Sequence, residues 1–265
     1  IIDSGYEQVT YPTLKVIGGT GNDTVVGGAT YFDGGEGDDS ITLVDLDYKV
    51  DFLDGGEGTD SLTIQPDIYT SIYQDYGSQS IEDAITNFEI INFETTRDSF
   101  TLGSQIGSAG ENITINHNAW GGDFNSLSEA NILITGGQFG NGTSITLGSG
   151  NDVVNFLFAE TASSSYPVDT GAGDDIINGS RRHDNFNGGE GDDTIDGGDG
   201  NDIINAGDDN DTVTGGAGDD NIDGGTGNDS LDSGTGNDTI DGGDGNDIIS
   251  SGDDNDTVTG GAGDD

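Results

Sequence analysis

From residue 170 onward, one large apolar residue recurs at every ninth position between mostly polar neighbours. The column reads Ile177, Phe186, Ile195, Ile204, Val213, Ile222, Leu231, Ile240, Ile249 and Val258. Triplets such as Thr194-Ile195-Asp196 have the polar–apolar–polar alternation of a strand with one buried face. The six residues between triplets follow G-G-x-G-x-D, and the nine-residue register holds unbroken over 170–265. Each unit therefore predicts a six-residue turn and a three-residue strand, with the position-eight side chain as its inward residue. Strands this short hold no hairpin, but they can satisfy their backbone groups by stacking in parallel on the next coil. Two units make one 18-residue coil with a turn on each edge. The fold class that follows is all-β: a parallel β-roll or β-solenoid over 170–265, continuous with a less regular β-rich region over 1–169.

Position six is always aspartate, and alternate units place these residues in two rows. One edge carries Asp175, Asp193, Asp211, Asp229, Asp247 and Asp265; the other carries Asp184, Asp202, Asp220, Asp238 and Asp256. Coils stack about 4.8 Å apart, so bare carboxylates in a row repel. The whole chain shares the problem, with 52 acidic against 5 basic residues and a formal net charge of −47. No basic patch exists to displace counterions from nucleic acid. No apolar run approaches the ~20 residues that span a bilayer, so membrane insertion is not expected. Cysteine is absent, which excludes disulfides and thiolate metal sites. Cations are the natural partners. Carboxylates and turn carbonyls offer hard oxygen donors in flexible geometry, which favours Ca²⁺ over Mg²⁺. The two rows hold nine same-edge neighbour pairs, hence up to about nine ions in the array. Folding and metal binding are expected to be one event there.

These residues resemble the RTX, or hemolysin-type calcium-binding, nonapeptide G-G-x-G-x-D-x-U-x, where U is large and apolar. The resemblance covers 170–265 contiguously and implies a parallel β-roll with Ca²⁺ between turns on the same edge. In that family the position-six aspartate ligates by its side chain and turn glycines by their carbonyl oxygens. Carried over, Gly189, Gly191, Gly198 and Gly200 are the expected carbonyl donors. The resemblance also implies type I secretion of an unfolded chain that folds outside the cell. One unit departs from the pattern: in "GSRRHDNFN", 179–187, Arg182 replaces the usual position-four glycine, which puts the Asp184 site in doubt. Asp209 and Asp254 replace the same glycine elsewhere.

The first 169 residues hold all eight Tyr, nine of ten Phe and the only Trp. Pieces of the same unit recur at 18–26, 34–42, 55–63 and 148–156, giving Asp23, Asp39, Asp60 and Asp152 as upstream metal candidates. Their spacings of 16, 21 and 92 residues leave their pairing open. Alternating segments predict strands at 50–54, 87–93, 98–103, 111–118, 131–137 and 143–148, and "QSIEDAITNF", within 79–88, predicts one short helix. His117 and Trp120 form the one arrangement suggestive of sugar binding or catalysis; packing at a solenoid turn is the simpler reading. There is no H-E-x-x-H and no G-x-S-x-G motif.

Two function classes follow. The first is an extracellular, non-enzymatic calcium-binding structural or adhesive protein of bacterial cell-surface or surface-layer type, whose partners are further copies or cell-surface polysaccharide. The second is the repeat portion of a type I-secreted enzyme, such as a polysaccharide-active one. Ice binding ranks last, since position three offers no regular threonine row. The sequence opens without an initiator methionine and ends on "GGAGDD", part-way through a unit, so it reads as part of a longer protein.

Overall fold

The structure is a computed structural model that describes residues 15–26, 31–43, 52–64, 85–86, 90–93, 100–102, 112–120, 124–126, 131–139, 144–156 and 167–265. The upstream strands are β1 (Lys15–Thr20), β2 (Thr24–Val26), β3 (Tyr31–Glu36), β4 (Ser40–Leu43), β5 (Phe52–Asp54), β6 (Ser61–Ile64), β7 (Ile85–Thr86), β8 (Ile90–Phe93), β9 (Phe100–Leu102), β10 (Asn112–Trp120), β11 (Phe124–Ser126), β12 (Asn131–Phe139), β13 (Ile145–Thr146) and β14 (Val153–Asn155). The array contributes β15 (Pro167–Ala172), β16 (Ile176–Asn178), β17 (Asn185–Glu190), β18 (Thr194–Asp199), β19 (Ile203–Asp208), β20 (Thr212–Ala217), β21 (Asn221–Thr226), β22 (Ser230–Thr235), β23 (Thr239–Asp241), β24 (Ile248–Ser250) and β25 (Thr257–Thr259).

Every named strand pair is parallel, and successive strands alternate between two faces of one solenoid. A 12-stranded sheet of all the even-numbered strands runs β2-β4-β6-β8-β10-β12-β14-β16-β18-β20-β22-β24 without a break. The opposite face has two parts, a four-stranded sheet β1-β3-β5-β7 and a nine-stranded sheet from β9 to β25. The regular array and the less regular region thus share one continuous sheet. All six expected upstream strands are present. The expected helix is not formed where it can be judged: Ile85–Thr86 is β7, paired in parallel with β5. The rest of that segment lies outside the described residues. Among the described residues no helix is long and apolar enough to cross a membrane.

Array strands are longer than the sequence pattern predicts. Those from β17 to β22 span six residues, from position seven through position three of the next unit. Pairing continues through the glycines, as in Gly189↔Gly207 and Gly198↔Gly216. The tight bend is confined to positions four to six. Strand burial also corrects the one-inward-residue expectation. Positions eight and one both face inward, as Ile195 and Gly197 do in β18. Glycine at position one is therefore core, and its missing side chain lets the two faces close together.

The core is a single file of side chains. Ile177, Phe186, Ile195, Ile204, Val213, Ile222, Leu231 and Ile240 are buried, as are Phe32, Ile41, Leu53, Leu62 and Ile115 upstream. Where the irregular coils meet the array, Phe156 and Phe186 stack with ring centroids 6.1 Å apart. His117 and Trp120 both lie on β10, in register with Gly136 and Phe139, rather than at a turn.

Candidate metal centre

The turn needs backbone shapes that L-residues resist. Positions two and four take positive φ, as at Gly189 (119°), Gly191 (123°), Gly198 (94°) and Gly200 (140°), the four expected carbonyl donors. Asp209 (79°) and Asp254 (85°) adopt the left-handed conformation at position four without being glycine, at a cost of about 1–2 kcal/mol each.

These bends turn the position-six aspartates inward. Asp175, Asp184, Asp193, Asp202, Asp211, Asp220, Asp229, Asp238 and Asp247 are all buried. Asp256 is half-buried and Asp265, on the last coil, is exposed. From Asp175 to Asp247, each aspartate's backbone N–H donates to Oδ1 of the aspartate 18 residues on. Asp193 donates to Asp211 and Asp211 to Asp229 on one edge, at 2.8 and 2.9 Å. Asp202 donates to Asp220 and Asp220 to Asp238 on the other, both at 2.8 Å. The two rows expected from the period are therefore two hydrogen-bonded ladders.

The second carboxylate oxygen has no partner. Oδ2 of Asp175, Asp193, Asp202, Asp211, Asp220, Asp229, Asp238 and Asp247 is buried and unpaired. Beside it lies the carbonyl of position one in the next coil. A Cβ placed on Gly215 would sit 2.7 Å from both Asp220 Oδ2 and Ser233 O. A Cβ on Gly188 would strike Asp193 Oδ2 and Ala206 O in the same way. Where position one is glycine, the turn thus gathers buried oxygens in a cradle that a side chain would fill. Burying such a carboxylate is costly without a counter-charge.

Their acidity records that cost. Burial pushes Asp202 up to about 8, Asp193 and Asp211 to about 7, and Asp175 and Asp220 to about 6. The N–H on Oδ1 offsets only part of this, and neighbouring carboxylates in the row add to it. Among the described residues no three carboxylate or imidazole side chains converge. Charge for a cation thus comes from the carboxylates of stacked turns, with backbone carbonyls as the remaining donors. That donor set fits a hard, oxygen-seeking ion of flexible coordination. Calcium, when bound, supplies the positive charge and oxygen ligation that these groups lack.

Upstream, the structure resolves the pairing left open by spacing. Asp23 donates to Asp39 Oδ1 at 2.8 Å and Asp39 to Asp60 Oδ1 at 2.6 Å. Asp152 donates to Asp175 Oδ1 at 2.7 Å, which makes it the first member of the long downstream row. Oδ2 of Asp39 and Asp152 is buried and unpaired. Ile113 and Ile132 occupy the register position one residue before Thr114 and Leu133, and Ile132 N–H donates to Asp152 Oδ1. Apolar residues there divide the Asp23–Asp60 group from the row that starts at Asp152.

A second ladder went unrecognised in the sequence. Position-five side chains accept from the position-five N–H of the following coil: Asn210 N–H to Asp192 Oδ1 at 2.9 Å, Asn228 N–H to Asn210 Oδ1 at 3.0 Å, Asn237 N–H to Asp219 Oδ1 at 2.8 Å. The signal was available, since position five is Asp or Asn in every unit but one. These bonds hold the exposed Asp192 and Asp219 carboxyls below the usual range. His183 is the exception, and its Nδ1 takes the same role by accepting from Asn201 N–H at 2.7 Å. That bond requires the neutral ring with its proton on Nε2.

The model of the RTX calcium-binding nonapeptide repeat matches the chain in four copies, over residues 15–30, 169–204, 196–231 and 232–265. The turns at 34–39, 55–60 and 148–152 fall outside those matches, yet they stack in the same ladders. No curated protein matches the chain. Residues 169–265 thus form an unbroken array of RTX calcium-binding repeats, with a further copy at 15–30.

Proposed function

We propose that the chain is an extracellular structural or adhesive protein of a bacterial cell surface or surface layer, whose roll orders on Ca²⁺ after secretion. In this reading the solenoid is a scaffold rather than a catalyst. The observation that carries it is the stack of buried, unpaired carboxylate oxygens. A core one side chain wide, with each such residue contributing only ~1.5–3 kcal/mol, has little with which to offset their burial. Calcium scarcity inside a cell and abundance outside would then time folding to export.

The outward faces suit assembly more than catalysis. Asn205 and Asn187 form an amide ladder ending on Asp169, at 2.7 and 3.0 Å, and the position-seven column beside them is polar at Asn185, Asn221, Thr239 and Thr257 but carries the exposed Ile203. Such mostly polar faces present repeated donors and acceptors to another copy or to a cell-surface polysaccharide. The test is far-UV circular dichroism of the chain in chelator and in millimolar Ca²⁺. The expected result is a cooperative gain of β signal with calcium, and a much weaker one with Mg²⁺. A spectrum indifferent to chelation would overturn the reading.

A further inference from the structure

The turn at 179–184 handles its aspartate differently from its neighbours. Ser180, at position two, donates to Asp184 Oδ2 from both its backbone N–H and its hydroxyl, each at 2.9 Å. In the other buried array turns that oxygen is unpaired; here the unpaired one is Oδ1. The carboxylate is also less close to position one. The three atoms nearest a Cβ on Gly179 belong to Gly197 and Asp196, whereas at Gly188, Gly197, Gly215, Gly224 and Gly242 the turn's own Oδ2 is among the nearest. Positive φ is absent at Ser180 and Arg182, although both positions are left-handed in the next turn at Gly198 and Gly200. Arg182 N–H instead donates to Ser180 Oγ at 3.2 Å. Positive charge is supplied locally by Arg182, which acts to lower the Asp184 pKa that burial raises.

We propose that Ser180 and Arg182 close this turn in place of calcium, so that the rung between Asp184 and Asp202 holds no ion. This rests on the reading of the other cradles as calcium sites. A hydroxyl alone does not have this effect. Ser233 donates to the carbonyl of Ser251 in the next coil and leaves Oδ2 of Asp238 unpaired. In 179–184 the donors reach the carboxylate itself. The array then has five calcium rungs on the Asp175 edge and three on the other. The metal-free rung stands at the start of the shorter row, where it fixes the register of the coils that follow without waiting for the ion.

Equilibrium dialysis of the full chain at saturating Ca²⁺, with circular dichroism as the check on folding, tests this. Asp184→Asn is expected to leave the ion count unchanged, and Ser180→Gly/Arg182→Gly to raise it by one. Asp220→Asn, in the middle of the same row, is expected to lower it. Loss of an ion in Asp184→Asn, or no gain in a folded Ser180→Gly/Arg182→Gly chain, would overturn the proposal. Should the double variant fail to fold, Asp184→Asn decides alone. A wild-type chain that binds no calcium would instead overturn the reading of the whole array.

Discussion

At the scale of single residues, the two oxygens of each row aspartate have separate tasks. Oδ1 is bound into the backbone ladder, while Oδ2 carries an unpaired charge in a buried cradle. The direction of the pH dependence follows. Asp193, Asp202 and Asp211 titrate at about 7, 8 and 7 in the fold, against an ordinary value of 3.8. Between those limits the metal-free fold binds more protons than the unfolded chain, so its stability falls as pH rises. Calcium requires the same carboxylates unprotonated. Raising the pH from about 6 to about 8 should therefore loosen the metal-free fold, and for turns folded and protonated at the lower pH it should lower the calcium midpoint about tenfold, as expected for one competing proton near pH 7. Calcium titrations followed by circular dichroism at the two pH values check this; a midpoint that rises with pH would contradict it.

At the scale of the element, most of the array was legible because two columns keep phase over 170–265. Position eight named the core as far as Ile240, with Ile249 half-buried and Val258 exposed on the last coils, and position six named the ladder. What the period did not reveal was the extent of the strand. Glycines suggested a six-residue turn, yet Gly188-Gly189 continue β17, because parallel pairing needs only backbone and Gly189↔Gly207 provide it. Upstream, the spacing concealed which turns stack, since segments of different length separate Asp23, Asp39 and Asp60 although the three are in register. The ladder gives each interior turn two neighbours. Asp211 receives from Asp193 and donates to Asp229, while Asp265 meets only Asp247 and is exposed. Asp211→Ala should thus raise the calcium midpoint more than Asp265→Ala does, and the reverse ranking in a calcium titration would count against ions shared between successive turns.

At the scale of the whole molecule, two explanations of calcium dependence can be separated. A formal charge of −47 on 265 residues opposes compaction whatever the turns look like. If relief of that repulsion were all that calcium supplied, any salt would serve at sufficient strength. At about 1 M the screening length falls to ~3 Å, below the ~4.8 Å between stacked coils, so neighbouring carboxylates would scarcely sense one another. Screening acts through solvent, however, and the Oδ2 atoms of the rows are buried away from it. Their cost is the loss of hydration, which monovalent salt does not restore and direct ligation does. The chelated chain in about 1 M NaCl should accordingly contract in small-angle scattering relative to low salt, yet gain little of the β signal that millimolar calcium produces. Full recovery of that signal in sodium chloride alone would show that long-range repulsion, rather than the unsatisfied oxygens of the cradles, is what keeps the roll unfolded.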